Sequence, residues 1–219
     1  MPKPRSGLRD LCSGHPWREP HGTIEWMPAY AYAILAAGSL LWFSPFLSIK
    51  RNTEAPEKLN RRARWGVILE ALGYTLLWQN QFWARPVEAW RIAFSVVFFA
   101  CAGLLAWTGA RALGPQWRID AALIPNHQLV RSGVYGVVRH PIYASFLCFF
   151  LGTGFMIAPL PVFLLSTVLF VIGTEIRVRI EDALLVSRFG NQFRDYQRTV
   201  PAYVPFLKYL RPANVRAKT

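Results

Sequence analysis

Residues 141–174 read PIYASFLCFFLGTGFMIAPLPVFLLSTVLFVIGT, without a single Asp, Glu, Lys or Arg. Pro159 and Pro161 divide this run into two apolar halves, Pro141 to Ala158 and Leu160 to Thr174. At about 1.5 Å rise per residue, each half as a helix nearly crosses a hydrocarbon core of roughly 30 Å. Two slightly short helices joined by a proline bend suit a tilted hairpin that returns the chain to the side it came from. The reading extends upstream. Ile92 to Leu113 (containing SVVFFACAGLLAW) is a strong span, and Pro28 to Ile49 is another without a charge. Trp65 to Trp83 is the weakest by hydropathy, since it carries Glu70 and the trio Gln79, Asn80 and Gln81. The sequence therefore predicts an all-α, polytopic membrane bundle of about five transmembrane helices.

Composition agrees. Of 219 residues 53% are hydrophobic and 17% charged, with nine Trp, against roughly 25% charged in a soluble domain. The formal charge of +13 would suit a nucleic-acid partner, but the basic residues fall between apolar runs and build no basic face, so nucleic acid is excluded as a partner. They obey the positive-inside rule. Lys50, Arg51, Lys58, Arg61, Arg62 and Arg64 join the first two spans; Arg111, Arg118, Arg131 and Arg139 follow the third; nine Lys/Arg follow from residue 177. The opposite side holds Arg85 and Arg91. Five spans with a cytoplasmic C-terminus fit this bias, although Lys3, Arg5, Arg9 and Arg18 of the first segment run against it. That segment lacks the apolar core of a signal peptide. Trp26, Trp65, Trp83 and Trp90 read as an interfacial belt, and Arg61, Arg62 and Arg64 as contacts to anionic membrane lipids. Cys12, Cys101 and Cys148 show no disulfide or metal-ligand spacing, so no metal site is expected.

After the fifth span, Ile180, Leu184, Leu185 and Phe189 recur at helical spacing, which predicts a C-terminal amphipathic helix on the membrane surface, stopped by Gly190. The organisation expected is a disordered polar tail over 1–27, three spans over 28–113, a catalytic core over 114–207 and a basic tail over 208–219.

Ionisable residues at membrane depth are expensive and commonly functional. Two segments hold them: 127–143, with His127, Arg131, Arg139 and His140, and 177–182, with Arg177, Glu181 and Asp182. The hairpin between them returns the chain, so both meet at one interface. Taken singly these residues have plainer readings: His140 as a helix cap, Arg177 and Glu181 as a surface i,i+4 pair, and Glu70 as a carboxylate reaching back to the interface.

Together they carry a resemblance. HxLVxSGVYxxxRHPxY over 127–143, a return hairpin, and then Arg177, Glu181-Asp182, Phe189-Gly190 and Tyr196 resemble the isoprenylcysteine carboxyl methyltransferases and the related phospholipid N-methyltransferases. The resemblance covers about 114–207. It implies an S-adenosylmethionine pocket lined by His127, Gln128, Leu129, Val130 and Tyr135, continued by His140, Pro141 and Tyr143, with Arg177 and Glu181 facing it as catalytic residues and Glu181 also beside the cofactor. The acceptor implied is a lipophilic small molecule or lipidated substrate, with the site on the cytoplasmic side. Ser145 stands where the family often has Gly, and Glu181-Asp182 where it has Glu-Glu. The residue types suit the chemistry: aromatic faces and a carboxylate for a sulfonium, a guanidinium for a carboxylate acceptor, a carboxylate base for an amine acceptor. Two other readings stay open here. An NADPH-dependent reductase of a sterol or other unsaturated lipid carries a similar RHPxY element, but with Asn between Pro and Tyr where Ile142 stands. A non-enzymatic scaffold or transport component is the third.

Overall fold

In lipid every backbone polar group must be satisfied within its own segment, and the apolar runs accordingly fold as helices. The computed structural model describes residues 27–48, 58–79, 87–118, 122–123 and 128–204. Its helices are α1 (Ala29–Ser48), α2 (Ala63–Leu77), α3 (Ala89–Leu113), α4 (Pro141–Ile157), α5 (Leu160–Phe189) and α6 (Asn191–Thr199). The remaining regular structure is a two-residue antiparallel pairing of β1 (Lys58–Leu59) with β2 (Ala122–Leu123), Lys58 opposite Leu123, and short 3-10 turns at Gly114–Gln116 and Gly133–Gly136. The predicted tails, His127 and most of the loop after the first span lie outside the described residues.

The all-α membrane architecture is as expected, with two differences in detail. Among the described residues three helices, α1, α3 and α5, are long and apolar enough to cross a membrane, and α4 is a shorter apolar helix. α2, fifteen residues long, was expected as a further span. The second difference concerns residues 177–189. They do not begin a separate surface helix; they are the last turns of α5, thirty residues long, or about 45 Å. Nothing between Thr174 and Arg177 breaks a helix, and the break expected there came from a change of polarity alone. Helix α6 is the amphipathic element, burying Phe193 and Tyr196 on one face. Gly190 ends α5 as expected, at φ +55°.

Leu40, Leu47, Val97, Leu104, Leu160, Leu164, Leu165 and Val168 are exposed on the outer faces of α1, α3 and α5, an apolar belt that suits lipid and not water. Inside, α3 presents Ala102, Ala106 and Ala110, all fully buried, and Ser95 donates a 2.6 Å hydrogen bond to the Gly152 carbonyl of α4. Small residues let these backbones approach closely. Arg91 closes the far end of the pair: its guanidinium donates to the Phe155 carbonyl at 2.7 Å and to the Ala158 carbonyl, capping carbonyls that α4 leaves open at its C-terminus.

The α2–α5 contact is closer still. A Cβ on Gly66 would lie 2.5 Å from Cγ of Arg177 and 2.6 Å from the Gly173 carbonyl. Because the second neighbour is backbone, Gly66→Ala should push the helices apart and destabilise the protein by about 1–3 kcal/mol. Thermal unfolding in detergent measures this, and an unchanged midpoint would show that the contact is slack.

Candidate active site

Helices α2 and α5 pack along their length, as do α3 and α4, while α1 rests on α3 and α4. This leaves a cavity of about 750 Å³ over the inner face of α4, bounded by α1 and Val67 to Tyr74 of α2 on its flanks and by the chain around 128–140, the end of α5 and α6 at its mouth. That volume is in the usual range for small-molecule sites. Its walls change character along its length. The inner end is aromatic: Trp42 stacks on Phe149 with centroids 4.5 Å apart, and Phe150 on Phe170 at 4.3 Å. The mouth is polar, with Gln128, Tyr135, Arg139, His140, Glu181 and Tyr196.

Of the residues singled out from the sequence, Gln128, Leu129, Val130, Tyr135, His140, Tyr143, Arg177 and Glu181 all line this cavity. Pro141 does not. It is fully buried as the first residue of α4, beside Gly109 of α3. His127 lies outside the described residues. Leu129 and Val130 are non-helical, and their backbones make no hydrogen bond to another described residue, which leaves a polar edge beside the cavity.

The mouth is held by a charge cluster. Asp182 accepts from Nη2 of Arg139 at 2.9 Å and from Nε2 of His140 at 2.9 Å; a carboxylate can only accept, so His140 carries its proton on Nε2. Nδ1 of His140 then faces Glu181 Oε1 at 3.7 Å. The plain capping reading of His140 is overturned, since its side chain makes no cap hydrogen bond to α4. Residues after α6 pin this corner: the backbone N–H groups of Arg139 and His140 donate to the carbonyls of Pro201 and Ala202, and Arg139 Nη1 donates to the Val200 carbonyl at 2.6 Å. Tyr196 donates to the Tyr135 carbonyl at 2.5 Å. Burial pushes the Tyr196 phenol up to about 12, and burial followed by the Glu181 carboxylate raises Tyr135 well above its ordinary value. Both stay neutral donors at any working pH.

Between mouth and aromatic end sits a second pair that the sequence reading missed. Glu70 is buried, accepting from Arg177 Nη1 at 2.6 Å and from the Thr174 hydroxyl at 2.9 Å. It does not reach back to the interface as expected, because Gly66 and Gly173 bring α2 close enough to α5 for the carboxylate to find Arg177. The Arg177 guanidinium also lies over the Tyr143 ring, 4.7 Å from its centroid. An ionisable residue at membrane depth was the only signal in the sequence for Glu70. Ser145 is likewise accommodated: it accepts from the Trp42 indole at 3.1 Å and donates to the Ile142 carbonyl at 2.7 Å, so its hydroxyl ties α4 to α1.

Comparison with known proteins adds an independent line. Residues 90–192 match the phospholipid methyltransferase family. A protein-S-isoprenylcysteine O-methyltransferase of Schizosaccharomyces pombe is 28% identical over 68% of this chain and 69% of its own length. Protein-S-isoprenylcysteine O-methyltransferase B of Arabidopsis thaliana is 36% identical over 37% of this chain and 42% of its own. The cobalt-zinc-cadmium resistance protein CzcN of Cupriavidus metallidurans is 37% identical over 39% of each. The latter two alignments thus span less than half of either relative. These relatives lend no support to the reductase or scaffold readings, and the matched segment holds every residue of the cavity mouth from Gln128 to Glu181. Over residues 90–192 the chain is thus similar to the phospholipid methyltransferases, and the relatives it matches include protein-S-isoprenylcysteine O-methyltransferases.

Proposed function

We propose that this protein transfers a methyl group from S-adenosylmethionine to a lipophilic acceptor held between its helices, with the reaction at the cytoplasmic face of the membrane. The observation that carries the reading is one continuous cavity whose mouth is polar and whose inner end is aromatic. Such a cavity offers a soluble cofactor and an apolar acceptor one shared space.

The residues at the mouth fit the cofactor. Tyr135 and Tyr143 provide aromatic faces and Glu181 a carboxylate beside them, a donor set that favours a sulfonium. The non-helical backbone at Leu129 and Val130, which bonds no other described residue, suits a purine. S-adenosylmethionine, when bound, supplies a methyl group on a sulfonium whose sulfur departs with the bonding pair. The protein's part is alignment and exclusion of water, which can account for several kcal/mol of the barrier. His140 and Arg139, fixed through Asp182, hold the mouth in one geometry. Glu181 stands where it can accept a proton from the attacking group. Trp42, Tyr74, Phe149 and Phe170 hold the apolar body of the acceptor. A smaller cavity of about 340 Å³ adjoins at Ser39 and Tyr74 and extends the room for a long chain.

The test is calorimetry on detergent-purified protein with S-adenosylmethionine and NADPH in parallel. Saturable binding of S-adenosylmethionine is expected. Loss of a charge-assisted contact in His140→Ala or Glu181→Ala should weaken it by about tenfold or more. Binding of NADPH alone would replace this reading with the reductase. Binding of neither by folded protein would sink both.

A further inference from the structure

Resting on the methyltransferase reading, we infer that Glu70 selects the acceptor class: by neutralising Arg177 it makes the reacting end of the cavity a site for a lipophilic amine and not for a carboxylate.

Arg177 is the guanidinium at the junction between the polar mouth and the aromatic end, the place where the head of an apolar acceptor comes to rest. Taken from the sequence, it is the obvious clamp for a carboxylate. In the fold its Nη1 is 2.6 Å from Glu70 Oε2, both side chains are 8% exposed, and Thr174 holds the second Glu70 oxygen. The guanidinium at the mouth is engaged as well. Arg139 is bound to Asp182 and to the carbonyls of Gln197 and Val200. A carboxylate entering this space leaves water for a site where Arg177 and Arg139 already hold carboxylates, and buried charge without a counter-charge is strongly disfavoured. An ammonium meets the opposite situation. Glu181, 35% exposed and 3.7 Å from Nδ1 of His140, lines the same cavity as Glu70. Glu181 can take the ammonium proton and pass it to solvent at the mouth. The freed nitrogen lone pair then forms the N–CH3 bond as the S–CH3 bond breaks, the pair remaining on sulfur. The resulting methylammonium carries one positive charge in place of the sulfonium's. Glu70 comes from α2, outside the matched residues 90–192, so this selection is added by the N-terminal half of the chain.

The experiment uses the full chain in detergent–lipid micelles with S-adenosylmethionine labelled on the methyl group. Two acceptors of equal apolar length are compared, a C15 isoprenyl amine and an N-acetylated cysteine bearing a C15 isoprenyl thioether and a free carboxylate. The wild type should favour the amine by at least tenfold in kcat/KM, and Glu70→Gln should narrow or reverse that ratio. Thermal unfolding gives a second readout. The carboxylate compound should raise the midpoint of Glu70→Gln, where it replaces the lost counter-charge, and leave the wild type unmoved. Equal or better use of the carboxylate by the wild type overturns the inference even if the variant fails to fold. An unchanged ratio in a folded Glu70→Gln overturns it too. Both outcomes leave S-adenosylmethionine binding intact and so differ from a failure of the methyltransferase reading, in which no binding occurs.

Discussion

Arg177→Ala is expected to destabilise the protein by about 3–5 kcal/mol, the usual effect of removing one member of a buried ion pair and stranding the other. Both partners are almost fully withdrawn from solvent, and among the described residues the stranded Glu70 keeps only the Thr174 hydroxyl to satisfy it. The ring of Tyr143 loses its cation at the same time. The measurement is chemical or thermal unfolding in detergent beside a methyl-transfer assay. A control separates charge from packing: Glu70→Gln with Arg177→Met removes both charges at similar volume and should recover most of the stability. If Arg177→Ala unfolds within about 1 kcal/mol of the wild type, the pair is not buried as the structure has it. The double variant, whose reacting end is again neutral, should keep the preference for an amine acceptor; a gain of carboxylate transfer would show that the ion pair does not set it.

Asp182→Ala should damage ligand binding more than folding. Asp182 does not line the cavity; it acts through His140 and Arg139, which do. Hydrogen bonds to a charged group contribute about 1.5–3 kcal/mol each, so loss of their orientation should weaken S-adenosylmethionine by roughly 10- to 100-fold. Asp182→Asn keeps one acceptor oxygen and should recover part of that loss. A merely structural Asp182 predicts the reverse pattern, a lowered unfolding midpoint with unchanged affinity in the protein that remains folded. Titration calorimetry on both variants distinguishes the two.

The two charged pairs mark where sequence reading stopped. Helical identity, the hairpin of α4 and α5 and the meeting of 128–143 with 177–182 around one cavity mouth were legible, because each follows from local properties: runs of apolar residues, prolines at a bend, and a return connection too short to go elsewhere. The stop at Gly190 was legible for the same reason. The boundary near residue 175 was misplaced, since a change from apolar to charged side chains alters what surrounds a helix without breaking its backbone hydrogen bonds.

The sequence by itself determined that this chain is a helical membrane protein with a polar cluster, and the motif from His127 to Tyr143 carried the resemblance to the membrane methyltransferases. Only the tertiary structure decided what that cluster can do. Whether Arg177 is a free clamp or a neutralised one depends on Glu70, more than a hundred residues earlier. That pairing exists because Gly66 and Gly173 let two backbones approach within contact distance. Local sequence carries the propensity of each helix and the cost of each buried charge, but charge neutralisation is a property of distance. Distance between segments is set by packing.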